Sequence, residues 1–470
     1  MDENKATLGK LIWFIVGGAV IAGMSFIPPA PPLGPKAMVA LGILCGAIVW
    51  MVSGAVQDYV AITIMSILWV VTGCAKMEVV YGAFATSNWW LLVGALGLAV
   101  PAAKSGLLRR LSLYIMRMFP PSFKGQSFAM VFIGTFLGLL IPSTAAKAAI
   151  IGQVCKGVND ALGFKDRSRA SAGLFAVFLN SNMVMAPGFL SASFVGYTCL
   201  GLFPESVEKL SWVAWFVAAL PWTIIALVLM TGAALIMYRP KQESAMTKDY
   251  VNEEIKSMGA WNKSEKYTCV ILAICLLMWV TERMHGISSA MVACGGMTAL
   301  LALRLYDRKD FRAAIAWDSV VFIGVIMGMA GVLNGVGVND LIREILGPVL
   351  QPLMGNVWLF VPVYCLVFML IRFLVASLVS SITICSLVLV PIAMTMGIHP
   401  FVTIFIAYTC SAVWFTPYQN SIYFTAQIAT GNYAMSSHRQ MIPYGLVYAV
   451  VMIIGNMACI PWWKMLGYLP

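Results

Sequence analysis

Charge is the scarcest property of this 470-residue chain: 10% of its residues are Asp, Glu, Lys or Arg, against about 25% in soluble domains. With 61% hydrophobic residues and a mean hydropathy of +0.88, it has too little polar surface to cover a water-facing body. A soluble enzyme is excluded. Histidine is rarer still, with His285, His399 and His438 in separate connections, so no zinc or iron centre is expected. No carboxylate falls in the middle of an apolar run, and Asp58 and Asp318 stand at run ends. Proton pumps and many cation carriers place acids at mid-membrane, so the absence favours an anionic cargo. There is no HExxH, histidine–carboxylate pair or nucleophile motif, which removes a membrane enzyme. The 11 cysteines lack metal or disulfide spacing and read as packing residues.

Apolar runs are abundant. At about 20 residues per crossing, spans are expected near 11–27, 37–56, 61–73, 89–103, 170–197, 212–237, 267–281, 290–303, 320–333, 401–426 and 443–463. The first lacks a cleavage site and reads as a retained helix. Two further stretches, 127–158 and 358–396, are interrupted: the first at Pro142-Ser143-Thr144, the second at Ser377 and Ser380-Ser381-Ile382-Thr383. If each is a re-entrant hairpin and the N-terminus is cytoplasmic, 22 of the 30 Lys and Arg lie inside. Only Lys36, Lys76, Lys209, Arg283, Arg343 and Lys464 lie outside. The net charge of +11 is therefore a topology signal, and no nucleic-acid partner is implied. The fold expected is an all-α polytopic membrane protein of about 11 spans with two hairpins. Its setting is the lipid bilayer of a bacterial inner membrane. Pro28, Pro29, Pro31, Pro32 and Pro35 form a stiff outer loop; Trp89, Trp90, Trp462 and Trp463 read as interfacial anchors.

The interruptions repeat. Ser143 to Asn182 and Ser381 to Asn420 each span 39 residues, pairing the polar break Asn180-Ser181-Asn182 with Thr416-Pro417-Tyr418-Gln419-Asn420. Asn88 to Gly94 and Asp318 to Gly324 share a spacing of 6. An odd number of crossings separates the halves, so the repeats are inverted, the pattern that places a transporter's binding site near the midplane. Half-helices starting at the breaks direct free N–H groups toward an anion. Ser143, Thr144, Ser380, Ser381 and Thr383, with Asn180, Asn182, Gln419 and Asn420, can donate to it; the plain alternative is helix capping. Lys147, one turn past Ser143, reads as a cation near the tip, or else as a partner for exposed carbonyls. Arg372 stands nine residues before Ser381, about 13 Å along a helix, and reads as a snorkelling or structural residue.

Three stretches resemble the divalent anion:sodium symporter family, the di- and tricarboxylate carriers. They are Ser87 to Arg110, the two tips in place of the family's Ser-Asn-Thr, and Thr416-Pro417-Tyr418-Gln419-Asn420-Ser421-Ile422 in place of Thr-Pro-Pro-Asn-Ala-Ile. Both tips lack the central asparagine and the first lacks the final threonine. The first, PSTAAK, is closer to the family's citrate and tartrate exchangers. The resemblance implies substrate contacts at the tips and at Thr416, Pro417 and Asn420. It also implies a homodimer and an elevator whose scaffold is 1–117 and 267–356, whose moving part is 118–238 and 357–470, and whose linker is 239–266. A sodium ion near Ser143, Ala145, Ser381 and Thr383 is one reading. The other gives its charge to Lys147, making the protein a sodium-independent exchanger with no cofactor. The cargo expected is a small organic anion, a dicarboxylate first, with a sulfonate, phosphonate or monocarboxylate as rivals; a channel is the third possibility.

Overall fold

A computed structural model of the chain describes residues 2–29, 33–204, 206–240, 249–315, 317–375 and 377–470. Pro31 and Pro32 of the outer loop and Lys241 and Lys248 of the linker lie outside the described residues, as does the side chain of Lys5. The described chain is helical, without strands. In the first half, α1 (Asp2–Ser25), α2 (Ala37–Ser53), α3 (Asp58–Val71), α4 (Met77–Tyr81) and α5 (Ser87–Lys104) precede a short amphipathic α6 (Leu107–Arg117). Next come α7 (Phe123–Leu140), α8 (Thr144–Ala161), α9 (Arg169–Gly188), α10 (Phe194–Gly201) and α11 (Trp212–Met237). After α12 (Asp249–Ser257), the second half runs through α13 (Lys263–Val280), α14 (Glu282–His285), α15 (Ser289–Ala302), α16 (Arg308–Ala314), α17 (Trp317–Gly335) and an amphipathic α18 (Val338–Gly355). It closes with α19 (Val357–Leu374), α20 (Leu378–Thr395), α21 (Pro400–Ser411), α22 (Ser421–Ala429), α23 (His438–Ala458) and α24 (Ile460–Met465).

Each of the eleven apolar runs read as spans carries helix. Among the described residues, eight helical segments are long and apolar enough to cross a membrane alone, or nine when the bent pair around α4 and α5 counts as one. The two interrupted stretches fold back on themselves. Phe123 at the start of α7 meets Phe164 just past α8, with ring centroids 6.2 Å apart. A Cβ placed on Gly355 before α19 would lie 4.0 Å from the end of the Met396 side chain just past α20. Both are therefore hairpins with closed bases.

The internal repeat holds, in a different register from the one expected. The arms α19 and α20 begin and end 234 positions after α7 and α8. Ser143 thus corresponds to Ser377, and Lys147 to Ser381, rather than Ser143 to Ser381. Ser143 and Ser377 do the same job: each side chain accepts the amide three residues on and caps its helix. Ser380 to Thr383 do not break the chain, because Ser381 turns its hydroxyl onto the Leu378 carbonyl at 2.8 Å and continues the helix. Asn180-Ser181-Asn182 is also continuous helix; α9 ends at Pro187-Gly188, and the break is Phe189 to Ser193. Upstream the register stands, with Asn88 and Asp318 each the second residue of α5 and α17. Both amphipathic helices follow a glycine in the left-handed region, Gly106 at φ +87° and Gly337 at φ +79°, where a side chain would be strained.

Three of the four expected interfacial tryptophans tie helices together through their indoles. Trp463 is fully buried, and its indole donates to Ala218 O at 3.0 Å; Trp462 donates to Val217 O at 2.9 Å. Trp89 likewise ties α5 to α17 through Val320 O at 3.1 Å, and only Trp90 is exposed. Within the linker, α12 is a short helix. It is held against α6 by an Arg109–Glu254 ion pair, while Arg110 donates to Glu265 at 2.8 Å and to Gly259 O at 2.9 Å. All eleven cysteines are free.

Candidate functional site

Backbone unwound within lipid depth must find its partners in protein. The break between α9 and α10 does so on the first hairpin: Phe194 N–H donates to Pro142 O at 2.9 Å, and Ser191 Oγ to Leu139 O at 2.8 Å. Lys147 adds a third tie, its fully buried ammonium donating to Ala192 O at 2.9 Å. In the second repeat Arg372 has the matching task from the other hairpin arm. Its guanidinium, fully buried, donates to Ser411 O at 2.9 Å, to Val375 O at 2.5 Å and to Gln419 O. Each hairpin thus carries one cation that satisfies carbonyls of its neighbouring broken helix.

The four interruptions line one cavity of about 770 Å³. They present helix starts: Thr144 and Ala145 of α8, Phe194 and Val195 of α10, Leu378 and Val379 of α20, Ser421 and Ile422 of α22. None of these four helices has an acidic residue in its first turn. Each directs roughly half a positive charge at the space, so the wall attracts anions through its backbone. The opposite wall comes from Gly54 to Tyr59, from Asp318 to Ile323 and from Lys10 of α1. It contains two more helix starts, α3 and α17, and those carry Asp58 and Asp318.

The residues singled out from the sequence divide into wall and support. Thr144, Ala145, Ser377 and Gln419 are on the cavity wall. Ser143 caps α8, and Asn420 caps α22 by accepting from Ile422 and Tyr423 at 3.0 Å while donating to Ala412 O at 2.7 Å. Asn182 braces the first tip, donating to Thr144 O at 3.0 Å. Thr416 and Pro417 begin the turn of the second break, where Thr416 N–H donates to Gln419 Oε1 at 2.8 Å. Ser380 and Thr383 face an apolar surface of α2, α3 and α17. Several buried polar atoms have no partner in the protein: Thr144 Oγ1, both side-chain atoms of Asn180, Asn182 Oδ1, Gln419 Nε2 and Thr383 Oγ1. Leaving a buried polar atom unmatched costs about 1–3 kcal/mol. Of these residues Thr144 and Gln419 line the cavity, where their free atoms can meet a solute.

Arg372 has the structural role read for it, but not at the expected distance from Ser381. Its Nη1 lies 3.4 Å from Ser381 Oγ, because the chain reverses between them and the helical distance does not apply. Lys147 is behind the tip rather than on the wall. Lys10, Gln57, Asp58 and Asp318 were missed as cavity residues, since they belong to other elements and share no motif with the breaks. Ser193 could have been found: Pro-Gly at 187–188 followed by serines is a helix stop and restart.

Comparison with known proteins agrees with this geometry. Residues 8–469 match the family described as the sodium:sulfate symporter transmembrane region. The citrate/succinate antiporter of Escherichia coli is 26% identical over 383 residues, covering 75% of this chain and 78% of that one. Dicarboxylate transporter 2.1, chloroplastic, of Arabidopsis thaliana is 27% identical over 293 residues, and the aligned part spans 60% of this chain and 52% of that relative. The crystal structure of the Alcanivorax borkumensis YdaH transporter shares the fold, with a TM-score of 0.56 at 15% identity over 98% of each chain. The chain is an integral membrane protein of a transporter family, not an enzyme: it belongs to the sodium:sulfate symporter family, that of the divalent anion:sodium symporters.

Proposed function

We propose that the protein is a secondary transporter of a small organic anion, a dicarboxylate first, that works as an elevator and exchanges anions without sodium. The observation that carries the reading is the convergence of four acid-free helix starts on one cavity of about 770 Å³. Two carboxylates of one solute match two mirrored tips, one tip per repeat. The names of the relatives favour dicarboxylates over sulfate. The residues assigned to the solute are Thr144, Asn180, Asn182 and Gln419, each with at least one buried polar atom that has no partner, with Ser377 and the tip amides beside them.

Sodium fits poorly at the tips. The Arg372 guanidinium is already 3.4 Å from Ser381 Oγ, and Lys147 stands one turn past Ser143. Thr383 faces apolar side chains. A further cation at either tip meets like charge, so built-in cations take the place of a coupling ion. In the elevator reading, 118–238 and 357–470 move against 1–117 and 267–356, with 239–266 as the linker. The assembly is a homodimer, with the N-terminus in the cytoplasm and the chain in a bacterial inner membrane.

The experiment is counterflow in proteoliposomes loaded with malate, succinate, citrate or sulfate, with sodium or choline outside. Saturable dicarboxylate counterflow, equal in both salts and dependent on an internal anion, is expected. Sodium-driven net uptake would overturn exchange, and counterflow of sulfate alone would overturn the dicarboxylate.

A further inference from the structure

Among the described residues, the cavity's two walls are joined by a hydrogen bond that involves a residue with no role so far. Ser380 Oγ, on the second hairpin, lies 3.0 Å from Asp58 Oδ2 at the start of α3. It also lies 2.8 Å from Ser377 Oγ, and Ser377 is on the cavity wall. Around this contact the hairpin meets an apolar surface, with Thr383, Ile384 and Leu387 facing Ile48, Met51 and Met65. Apolar contact permits sliding; a hydrogen bond to a carboxylate fixes position.

We propose that Asp58 is the coupling residue that holds the empty hairpin and releases it when the anion binds. The proposal rests on the exchanger reading above. A hydroxyl has one proton to donate. In the empty carrier Ser380 gives its one proton to Asp58, so the hairpin is tied to α3. A carboxylate entering the cavity accepts the Ser377 proton. Ser380 then turns its own proton toward the Ser377 oxygen, already within reach, and Asp58 loses its donor. The anion and Asp58 are like charges competing for one chain of hydroxyls, and the bond cannot serve both. A carrier held when empty and free when loaded returns only with cargo, which is obligatory exchange. The plain alternative is that Asp58 merely complements the α3 dipole. Against it, the carboxylate's hydrogen bond goes to another element, and Gln57 leaves the helix start without a side-chain cap.

The test is the ratio of net efflux to exchange in malate-loaded proteoliposomes. Asp58→Ala is expected to raise that ratio about tenfold and Asp58→Asn less, since a neutral acceptor makes roughly half as strong a bond. Wild-type exchange with an unchanged ratio in Asp58→Ala overturns the coupling role and leaves the transport reading intact. Absence of wild-type counterflow for every anion overturns both. A second measurement does not depend on the flux of a weakened variant. Ile48→Cys with Leu387→Cys, on the facing apolar surfaces and with Asp58, Ser377 and Ser380 kept, is expected to cross-link under copper-phenanthroline in detergent and to be slowed by malate, with each single variant as the control for native thiols. Equal cross-linking with and without malate removes the proposal.

Discussion

Arg372 and Gln419, 47 residues apart, are joined by a buried hydrogen bond from the guanidinium to the backbone carbonyl. The same side chain holds the carbonyls of Ser411 and Val375, so it fastens the second hairpin tip to the second break. Arg372→Met leaves those acceptors without a donor, at about 1–3 kcal/mol each, and is expected not to accumulate as folded protein. Arg372→Lys keeps the charge without the planar fork. It is expected to fold with a lowered melting temperature, read by fluorescence-detected size exclusion.

Lys147→Met removes the donor to Ala192 O and the cation behind the first tip. Exchange should fall at least tenfold, a loss of about 1.4 kcal/mol. If sodium then partly restores uptake, the ammonium had filled the ion's place; unchanged transport with and without sodium removes that assignment.

Asn180→Leu gives opposite signs for stability and transport. Both polar atoms of this amide are buried and unmatched, so replacement by an apolar group of similar size is expected to leave melting unchanged or raise it. Malate exchange should drop about tenfold or more. Loss of both properties would make Asn180 a structural residue.

Gly134→Ala tests the packing of the first hairpin. A Cβ there falls 2.6 Å from Ser181 Cβ and 2.8 Å from the Ser181 backbone, so α7 must retreat from α9. Overpacking of this kind costs about 1–3 kcal/mol. Gly232→Ala, with nothing within 4 Å of the new atom, is the control and should melt like the parent.

Glu265→Gln breaks a pair whose side chains are 2% and 1% exposed, leaving the Arg110 charge buried. Such losses run to about 3–5 kcal/mol. The expected readout is faster protease cleavage after Lys256, since Arg110 also holds the Met258 and Gly259 carbonyls. Parental cleavage rates would show that the pair does not anchor the linker.

Much of this architecture was legible because membrane physics leaves few choices: apolar runs become helices. The two hairpins followed from the polar interruptions at Pro142-Ser143-Thr144 and at Ser377, together with the placement of charge. The register was misread where hydroxyls are ambiguous. Ser381 and Thr383 look like an interruption in sequence, yet a hydroxyl can turn onto its own helix and leave the rod intact. Asn180 and Asn182 misled in the same way, being polar without being breaks. Asp58 and Lys10 gave no signal, because their importance comes from what packs beside them, and no local pattern records that.

The attraction for anions on the α8, α10, α20 and α22 side of the cavity is made largely of peptide dipoles, and a peptide amide neither gains nor loses a proton between pH 5 and 9. Acidification over that range leaves this field untouched and instead changes the ionic form of the solute. The part of the attraction that rests on these dipoles should therefore follow the ionic form of each cargo, shifting from one acid to the next.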